Sequence, residues 1–409
     1  MTVVPIRAVI FDVGTVLVHE DHKAPIVAVA AWFNVGSKDE PTGQTGFAHL
    51  YEHIMILNGT EHVPNLIEPL QELGASNWNG TTWYDRTNYF ETVPTQALDR
   101  TLYIESERMG YLLGALTQER LDTQRGVVQN EKRQGDNQPY GLVSYHQADA
   151  LFPESHPYHH DTIGSMADLN AASLEDVKTW FRNYYGAANT VLVLSGDIDA
   201  KTAKDKVAKY FGDIPAGPPV ARQAEWVAPR TTSSRSQMED VVSQTRILRE
   251  WNIPARSERD FVLLDLAADV LGGGKTSRLY QRLVYQDKLV DNVSVSVQPF
   301  ELVSSFNWEA DVKQGVDPAS GSVIASAPPL PAIPHTTMSP VAASTSTRAR
   351  SATRARWSQA TAAALTARGS RCAATASSTP SSPTAAATRC ATTATTPAAT
   401  AAARTARPS

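Results

Sequence analysis

The sequence predicts an α+β fold in which a two-layer antiparallel sheet with helices is repeated in two successive units. Three observations support this prediction. Runs of β-branched and aromatic residues alternate with segments of helical periodicity as far as residue 317. A polar, proline-containing segment divides this region, and beyond it the composition changes abruptly to Ala, Thr, Ser, Arg and Pro. We therefore expect a first unit at 1–217, a linker at 218–236, a truncated second unit at 237–317 and a low-complexity tail at 318–409.

The first unit contains alternating strand and helix signals. Two strand-forming runs are separated by a polar segment, Glu20–Lys23, which is typical of a hairpin turn, and Asn79-Gly80 indicates a second turn. The predicted strands are Ile6–His19, Ile26–Asn34, Trp83–Val93 and Thr190–Ser195. The predicted helices are the segment carrying residues 49–53, Pro64–Leu73, Ala97–Leu116, Thr117–Gln134, Leu174–Tyr185 and Lys201–Phe211.

The second unit has the same kind of pattern but is shorter. A run of three glycines, 272–274, separates its two helices. The predicted elements are the strands Val241–Trp251, Asn292–Pro299 and Ser305–Val312, with helices at Asp260–Leu271 and Ser277–Gln286. The tail that follows has arginine but no lysine, aspartate or glutamate, which favours a shifted reading frame over a natural disordered segment.

The charge distribution makes the part before the tail acidic. The whole chain has a net charge of −5, but nine of its 37 basic residues lie beyond residue 317, where no acidic residue occurs. Residues 1–317 thus carry 28 basic and 42 acidic residues, a net charge of −14. This balance disfavours nucleic acid and anionic membrane surfaces as partners.

Cysteine usage and hydropathy narrow the class of protein further. Both cysteines, Cys372 and Cys390, lie in the tail, so the two units have neither disulfides nor thiolate metal ligands. Any metal must then be held by histidines and carboxylates. No apolar run reaches transmembrane length, and the N-terminus lacks the features of a secretory signal, so the sequence leaves the compartment unknown.

The strongest chemical signal is the pentapeptide His49-Leu50-Tyr51-Glu52-His53. It has the pattern H-x-x-E-H, the inverse of the zinc motif H-E-x-x-H. In a helix, positions i and i+4 lie about 40° apart around the axis, with i+3 beside them. His49, Glu52 and His53 therefore share one face, where two imidazoles can hold a zinc ion and a carboxylate can act on a bound water. The competing interpretation is a solvated polar helix face.

A catalytic zinc takes a third protein ligand. The helix predicted at Thr117–Gln134 offers Glu119, Asp122 and Glu131, and local spacing alone does not choose between them. A second group of histidines, His156, His159 and His160, lies in a loop beside a single carboxylate, and we expect it to have a surface or packing role.

Several motifs together resemble the insulinase/pitrilysin family of inverted-zincin metallopeptidases, which includes bacterial zinc proteases and the mitochondrial processing peptidase. Residues 124–131, QRGVVQNE, resemble the family segment E-R-x-V-V-x-x-E, and Glu131 follows His53 by the expected interval. The other matching segments are residues 36–40, 79–82, 88–90, 156–158, 163–165, 184–185, 196–198 and 271–279. The resemblance extends from about residue 15 to about residue 312.

The resemblance implies one zinc ion per chain, held by His49, His53 and Glu131, with Glu52 as the general base of peptide-bond hydrolysis. Three residues are expected to contact substrate: Asn79, Thr82 and Tyr89. A peptide is expected to pair with the strand at Trp83–Val93 by β-augmentation. The family commonly has a Glu at the position of Gln124, so we expect Gln124 to tune the ligands by hydrogen bonding without supplying a charge.

The resemblance also implies a partner. Relatives enclose the active site between two halves, in one chain or two subunits, and this chain corresponds to the first half. We therefore expect a peptide or protein substrate, a second-half subunit or homologous chain as partner, and weak activity of the isolated chain. The alternative is a non-catalytic peptide-binding or partner subunit of a two-part peptidase, against which the intact motif argues. Relatives are often bacterial and periplasmic.

Overall fold

A computed structural model of the chain describes residues 7–11, 14–230 and 232–318, with side chains from residue 14 onward. These residues form two separate sheets with helices packed on them. The α+β class predicted from the sequence is therefore confirmed. The predicted tail lies outside the described residues from residue 319 onward.

Strands and helices alternate through most of the described residues. The strands are β1 (Arg7–Phe11), β2 (Gly14–Glu20), β3 (Ile26–Phe33), β4 (Ser76–Thr82), β5 (Thr87–Pro94), β6 (Thr190–Gly196), β7 (Arg246–Ile253), β8 (Val290–Gln298) and β9 (Ser304–Val312). The α-helices are α1 (Phe47–Leu57), α2 (Ile67–Glu72), α3 (Leu98–Gly110), α4 (Leu112–Ala115), α5 (Gln118–Asp136), α6 (Val143–Leu151), α7 (Met166–Ala171), α8 (Leu174–Tyr184), α9 (Ala200–Phe211) and α10 (Arg259–Gly272). A π-helix lies at Tyr280–Gln286. Single 3-10 turns lie at Ser37–Asp39, Thr95–Ala97 and Ala187–Asn189.

The first sheet has the strand order β1-β2-β6-β3-β5-β4. All its pairs are antiparallel except β2 with β6. The predicted hairpin between β2 and β3 is wrong: the chain does turn between them, but β6 lies between the two strands and pairs with both. The apolar β6 run satisfies the backbone groups of two strands at once, which a local turn signal does not reveal.

The run predicted as one strand at Ile6–His19 is two strands. β1 and β2 pair antiparallel with Phe11 opposite Gly14, and residues 12 and 13 lie outside the described residues. Gly14 has φ of 132°, a conformation that L side chains rarely adopt, so the glycine permits the reversal. The apolar residues on both sides of this glycine made the two strands look continuous in the sequence.

The helical layer covers one face of the first sheet. Val18, Val29, Phe33 and Leu194 belong to the main core that the sheet shares with α1, α3, α8 and α9. Neighbouring strand residues such as Val193 point to the other face and form a smaller cluster. This alternation follows from the two-residue period of a strand and gives the two-layer arrangement. Within the core, α1 packs on β4 and β5.

The prediction of a turn at Asn79-Gly80 is wrong, because both residues lie inside β4. The reversal occurs instead at residues 83–86, where the Trp83 amide donates to the Arg86 carbonyl over 2.9 Å. The irregular residue of β4 is Asn77, with φ of 52°, beside a shift in the β4–β5 register.

The second sheet has the order β7-β9-β8, with all pairs antiparallel. α10 packs on β8 and β9.

The segment predicted as a linker has neither helix nor strand at 218–230 and 232–236, but it contacts the rest of the described chain. The Trp226 amide donates to the Leu302 carbonyl over 3.0 Å, and its ring lies 4.6 Å from that of His156. Among the described ranges, no helix has both the length and the apolar character needed to cross a membrane.

A buried polar cluster joins the two sheets. The Tyr158 hydroxyl donates to Asp85 over 2.6 Å and accepts from the Glu301 and Leu302 amides over 3.2 and 3.0 Å. The Lys38 ammonium lies 3.2 Å from the Glu301 carboxylate and 3.8 Å from that of Asp85. Lys38, Asp85 and Tyr158 are all buried, so these partners replace the water that each polar group loses.

We predict that Tyr158→Phe lowers the free energy of unfolding by about 1–3 kcal/mol, because it leaves the buried Asp85 carboxylate and two amides with one partner fewer. Urea denaturation of the full chain measures the change. Tyr210→Phe is the matched control, since that hydroxyl bonds the half-exposed Asp99 over 2.9 Å. Equal effects of the two substitutions would contradict the structural importance assigned to the cluster.

Candidate metal centre

One face of α1 packs into the core, and the opposite face lies against α5 and β4. Leu50, Tyr51 and Ile54 are fully buried, and Tyr51 stacks on the rings of Phe181 and Tyr185 at 5.6 and 5.0 Å. This apolar stripe fixes the rotation of the helix about its axis. The opposite face, which carries residues 49, 52 and 53, therefore points away from the core and towards α5 and β4.

The side chains of His49, His53 and Glu131 converge. The Glu131 Oε2 atom lies 3.6 Å from His49 Nε2 and 3.2 Å from His53 Nε2. The three ligand atoms all lie within 4.8 Å of one another, and this is the one such group found among the described residues. Two donors at about 2.1 Å from a tetrahedral ion lie about 3.4 Å apart. The spacing and the N,N,O donor set therefore fit a zinc ion.

The centre is partly shielded from water. The side chains of His49 and His53 are 17% and 11% exposed, whereas that of Glu131 is 47% exposed. Burial, aided by the neighbouring His53, lowers the pKa of His49 to about 4. The hydrogen bond from His53 holds the pKa of Glu131 below its ordinary value. His49 is thus kept neutral and Glu131 ionised, the forms that metal binding requires.

Glu52 has a different environment from Glu131. Burial raises its pKa above the ordinary value, and the neighbouring Thr82 side chain opposes that rise.

The Nδ1 atoms of His49 and His53 are buried and have no hydrogen-bond partner among the described residues. It is the Nε2 atom of each imidazole, and not Nδ1, that lies close to the Glu131 carboxylate.

Gln124 lies on α5 two turns before Glu131, and its amide is buried. Its Nε2 atom donates to Asn58 Oδ1 over 3.4 Å, and its Oε1 atom has no partner among the described residues. Asn58 is the C-cap residue that follows α1. The hydrogen bond seen for Gln124 thus joins the two helices and does not reach one of the three converging side chains.

The three residues expected to contact substrate have different surroundings. Asn79 is exposed on β4, and Thr82 lies at the end of that strand beside Glu52. Tyr89 is 1% exposed, and its ring lies 5.9 Å from that of Phe33 and 4.7 Å from the Arg108 guanidinium. The expectation that Tyr89 contacts substrate does not agree with this burial, because the inward face of β5 is covered by α1 and α3.

The strand available for pairing is β4. The expected strand at Trp83–Val93 corresponds mainly to β5, which is paired with β3 on one side and β4 on the other. Its backbone donors and acceptors are already used, so it has no free edge for an added strand. β4 is the outer strand of the described sheet and packs against α1.

Gly80 is a residue of the centre that sequence reasoning missed. A Cβ atom at this position would lie 3.0 Å from Glu52 Cγ and 3.2 Å from the Tyr89 ring. Glycine therefore allows β4 to approach α1 closely enough for Glu52 to pack against the strand. The sequence contained a signal, a glycine inside a β-rich segment, but it was interpreted as part of a turn.

The loop histidines do not form a second metal site with three ligands in the described residues. His156 bonds the Trp226 carbonyl over 2.8 Å, His159 bonds the Phe152 carbonyl over 3.0 Å, and His160 bonds the Glu40 carboxylate over 2.9 Å. The expected packing role of these residues agrees with these contacts.

Comparison with known proteins identifies the family. The model described as Insulinase (Peptidase family M16) matches residues 15–154, and that described as Peptidase M16 inactive domain matches residues 171–324. The chain belongs to the insulinase/pitrilysin (M16) peptidase family. The resemblance proposed from the sequence is thus confirmed. Because the second model is described as an inactive domain, the catalytic activity of this M16 chain is a question for experiment.

Individual M16 relatives support this membership. Zinc protease PqqE of Helicobacter pylori (strain ATCC 700392 / 26695) is 27% identical over 276 residues, which cover 66% of this chain and 61% of that protein. The crystal structure of a protease from Helicobacter pylori has a similar fold, with a TM-score of 0.66, 24% identity and 76% of each chain covered. The first half of the periplasmic protease PqqL from Escherichia coli also shares the fold, with a TM-score of 0.59, 18% identity, and 75% of this chain and 68% of that chain covered.

We predict that Gly80→Ala costs about 1–3 kcal/mol of unfolding free energy, because the new methyl group overpacks the contact with Glu52 and Tyr89. The cost should be smaller in a Glu52→Ala background, where the Cγ atom at 3.0 Å is absent. Urea denaturation of the four proteins of this cycle measures the coupling. An equal cost of Gly80→Ala in both backgrounds would contradict the close approach.

Proposed function

We propose that this M16 chain is the first half of a zinc-dependent metalloendopeptidase. The observation that supports the proposal is the convergence of His49, His53 and Glu131, with separations of 3.2 and 3.6 Å to one carboxylate oxygen, next to a buried Glu52. The two imidazoles and one carboxylate match the donor set of catalytic zinc sites that keep one position open for water. The homologous proteins named zinc proteases support zinc as the metal.

When bound, zinc lowers the pKa of a coordinated water and polarises the carbonyl that is attacked. Glu52 is the residue that takes the proton from the attacking water and returns it to the leaving amine. Its burial raises its pKa towards the range in which a carboxylate both accepts and releases a proton. Glu52 lies beside the ligands and not among the three converging groups, so it is free to act as a base.

The substrate in this proposal is an extended peptide that adds to the edge of β4. Main-chain hydrogen bonds to a strand edge hold a peptide with little dependence on its sequence. Asn79 is exposed on that strand, so its amide is available to a bound backbone. Thr82 lies at the end of β4, next to Glu52, where a scissile bond would reach the centre. Tyr89 supports this strand from beneath through its contact with Gly80.

A second half completes the enzyme in this proposal. The chain spans about 61% of the length of the Helicobacter pylori relative that it matches. The Escherichia coli protein PqqL has been solved both whole and as its first half, and this chain has the fold of that half. Because the Glu131 side chain is half exposed, the centre is open to solvent on that side. A partner half, supplied by a separate subunit or homologous chain, would cover it and exclude water.

We predict that purified chain contains about one zinc ion, and that His53→Ala or Glu131→Gln strongly reduces this content because each removes one of three ligands. Metal analysis after dialysis measures the ratio of zinc to protein. His159→Ala is the control, since His159 bonds the Phe152 carbonyl and lies outside the cluster. Stoichiometric zinc retained by both ligand variants would refute the assignment.

We predict that Glu52→Gln keeps its zinc and its fold but slows peptide hydrolysis by roughly 100- to 10,000-fold, because the amide cannot accept the proton of the water. Turnover of a quenched-fluorescent peptide measures the rate. Glu119→Gln, an exposed carboxylate on α5, serves as the matched charge control. If the parent chain binds zinc and peptide but cleaves nothing even with a second half added, the non-catalytic subunit is the better description.

A further inference from the structure

The first turn of α1 is capped by a residue outside the helix. The residue at the N-cap position, Gly46, has no side chain that could bond the free amides of the first turn. The buried Glu40 carboxylate does so instead, accepting from the Gly46 amide over 2.9 Å and from the Ala48 amide over 2.8 Å. His49 is the next residue along the helix. The Glu40 carboxylate thus holds the first turn of α1, where the H-x-x-E-H motif begins at His49.

The Glu40 carboxylate has a third partner, His160. The His160 Nε2 atom lies 2.9 Å from Glu40 Oε2 and 2.9 Å from the Ser37 carbonyl, so it donates to both. The Glu40 side chain is fully buried, and burial of an unpaired carboxylate costs free energy because the group loses its water. The hydrogen bonds to Glu40 replace that lost hydration. Burial alone would lower the pKa of His160, but Glu40, the Ser37 carbonyl and Asp161 together raise the pKa above its ordinary value.

The chain that follows His160 stays in contact with the start of α1. Gly164, with φ of 71°, packs against the backbone of Gly46, where a Cβ atom would lie 2.5 Å from Gly46 Cα. Asp168 then accepts from the Thr45 amide over 3.0 Å and from the Thr45 hydroxyl over 2.5 Å. The segment thus fixes the backbone just before α1 at several points.

The same segment also contacts α5, the helix that carries Glu131. The Asn170 Oδ1 atom accepts from Gln129 over 2.7 Å, and the Ala172 carbonyl accepts from Arg125 over 2.5 Å. Gln129 lies two residues before Glu131 on that helix, and Arg125 lies six residues before it. Residues 160–172, which we call the brace, therefore contact both helices that supply the converging side chains.

We propose that the brace sets the separation of α1 from α5, with Glu40 and His160 as positioning residues for the metal centre. This inference rests on the proposed function, because it assigns the two residues a purpose through the zinc ligands. Metal binding depends on ligand atoms being held within a few tenths of an ångström. The His49 Nε2 atom lies 3.6 Å from Glu131 Oε2, and a small shift of the first turn of α1 would increase this distance.

The first test uses the full chain with His160→Ala, His160→Gln and the control His159→Ala. Loss of the His160 contact should weaken zinc binding about 10- to 100-fold in competition with a chelator, as for other supporting residues of metal ligands. The visible spectrum of the cobalt-substituted protein should change as the ligand geometry relaxes. His160→Gln keeps a donor near the Nε2 position and should restore both properties, and His159→Ala should match the parent.

The second test acts on the other end of the brace. Arg125→Met removes the hydrogen bond to the Ala172 carbonyl while keeping the aliphatic stem, and should change zinc affinity and the cobalt spectrum in the same direction. Arg133→Met, an exposed residue on the same helix, is the matched control. If all variants keep the zinc affinity and cobalt spectrum of the parent, the brace has no positioning role and the inference is overturned.

A third measurement needs no metal, so it separates this inference from the proposed function. In zinc-free protein, the amides of Gly46 and Ala48 should exchange slowly with deuterium in the parent and in His159→Ala. They should exchange markedly faster in His160→Ala and slowly again in His160→Gln. Unchanged protection in His160→Ala would overturn the inference. A parent that binds no zinc but shows this pattern would refute the proposed function and leave the brace intact.

Discussion

The orientation of α1 is the constraint on which the centre depends. The helix must present residues 49, 52 and 53 to one small volume while its other side fills the core. Its apolar face packs against the sheet and α8, where Tyr51 stacks on two aromatic rings. The buried Arg108 donates to the Met55 carbonyl over 2.8 Å near the end of the helix, and Glu40 bonds its first turn. Rotation and translation of α1 are thus both restricted, so its polar face needs little reorganisation to bind an ion.

The residues that α1 contributes to the centre were predictable from the sequence because they depend on local geometry, whereas Glu131 was selected by the family resemblance. His49, Glu52 and His53 follow the period of a helix, and the family segment identified Glu131 among three candidate carboxylates. The helices predicted at Leu174–Tyr185 and Lys201–Phe211 agree with α8 and α9 to within a residue. In each case the pattern is contained within one continuous segment, and no knowledge of distant pairing is needed.

The features that were missed depend on pairing between distant segments. A turn signal at residues 20–23 cannot show that β6 separates β2 from β3. The Asn79-Gly80 pair has the composition of a hairpin turn, yet Gly80 is required because Glu52 and Tyr89 approach it from two directions. Tyr89 was expected to contact substrate because the sequence does not reveal which face of β5 the helices cover. The cap provided by Glu40 and His160 likewise joins residues 120 positions apart.

The central position of β6 has a consequence for how the chain acquires its fold. β2 and β3 are complete early in synthesis and can pair with β1 and β5, but the second edge of each has no partner until residues 190–196 have left the ribosome. At about 5–20 residues per second, this interval lasts roughly 10–30 s. During that time two apolar strands have unpaired edges, which other chains can recognise. Closing a sheet through such distant contacts is intrinsically slow, so the open edges of β2 and β3 are the part of the nascent sheet most exposed to pairing with other chains.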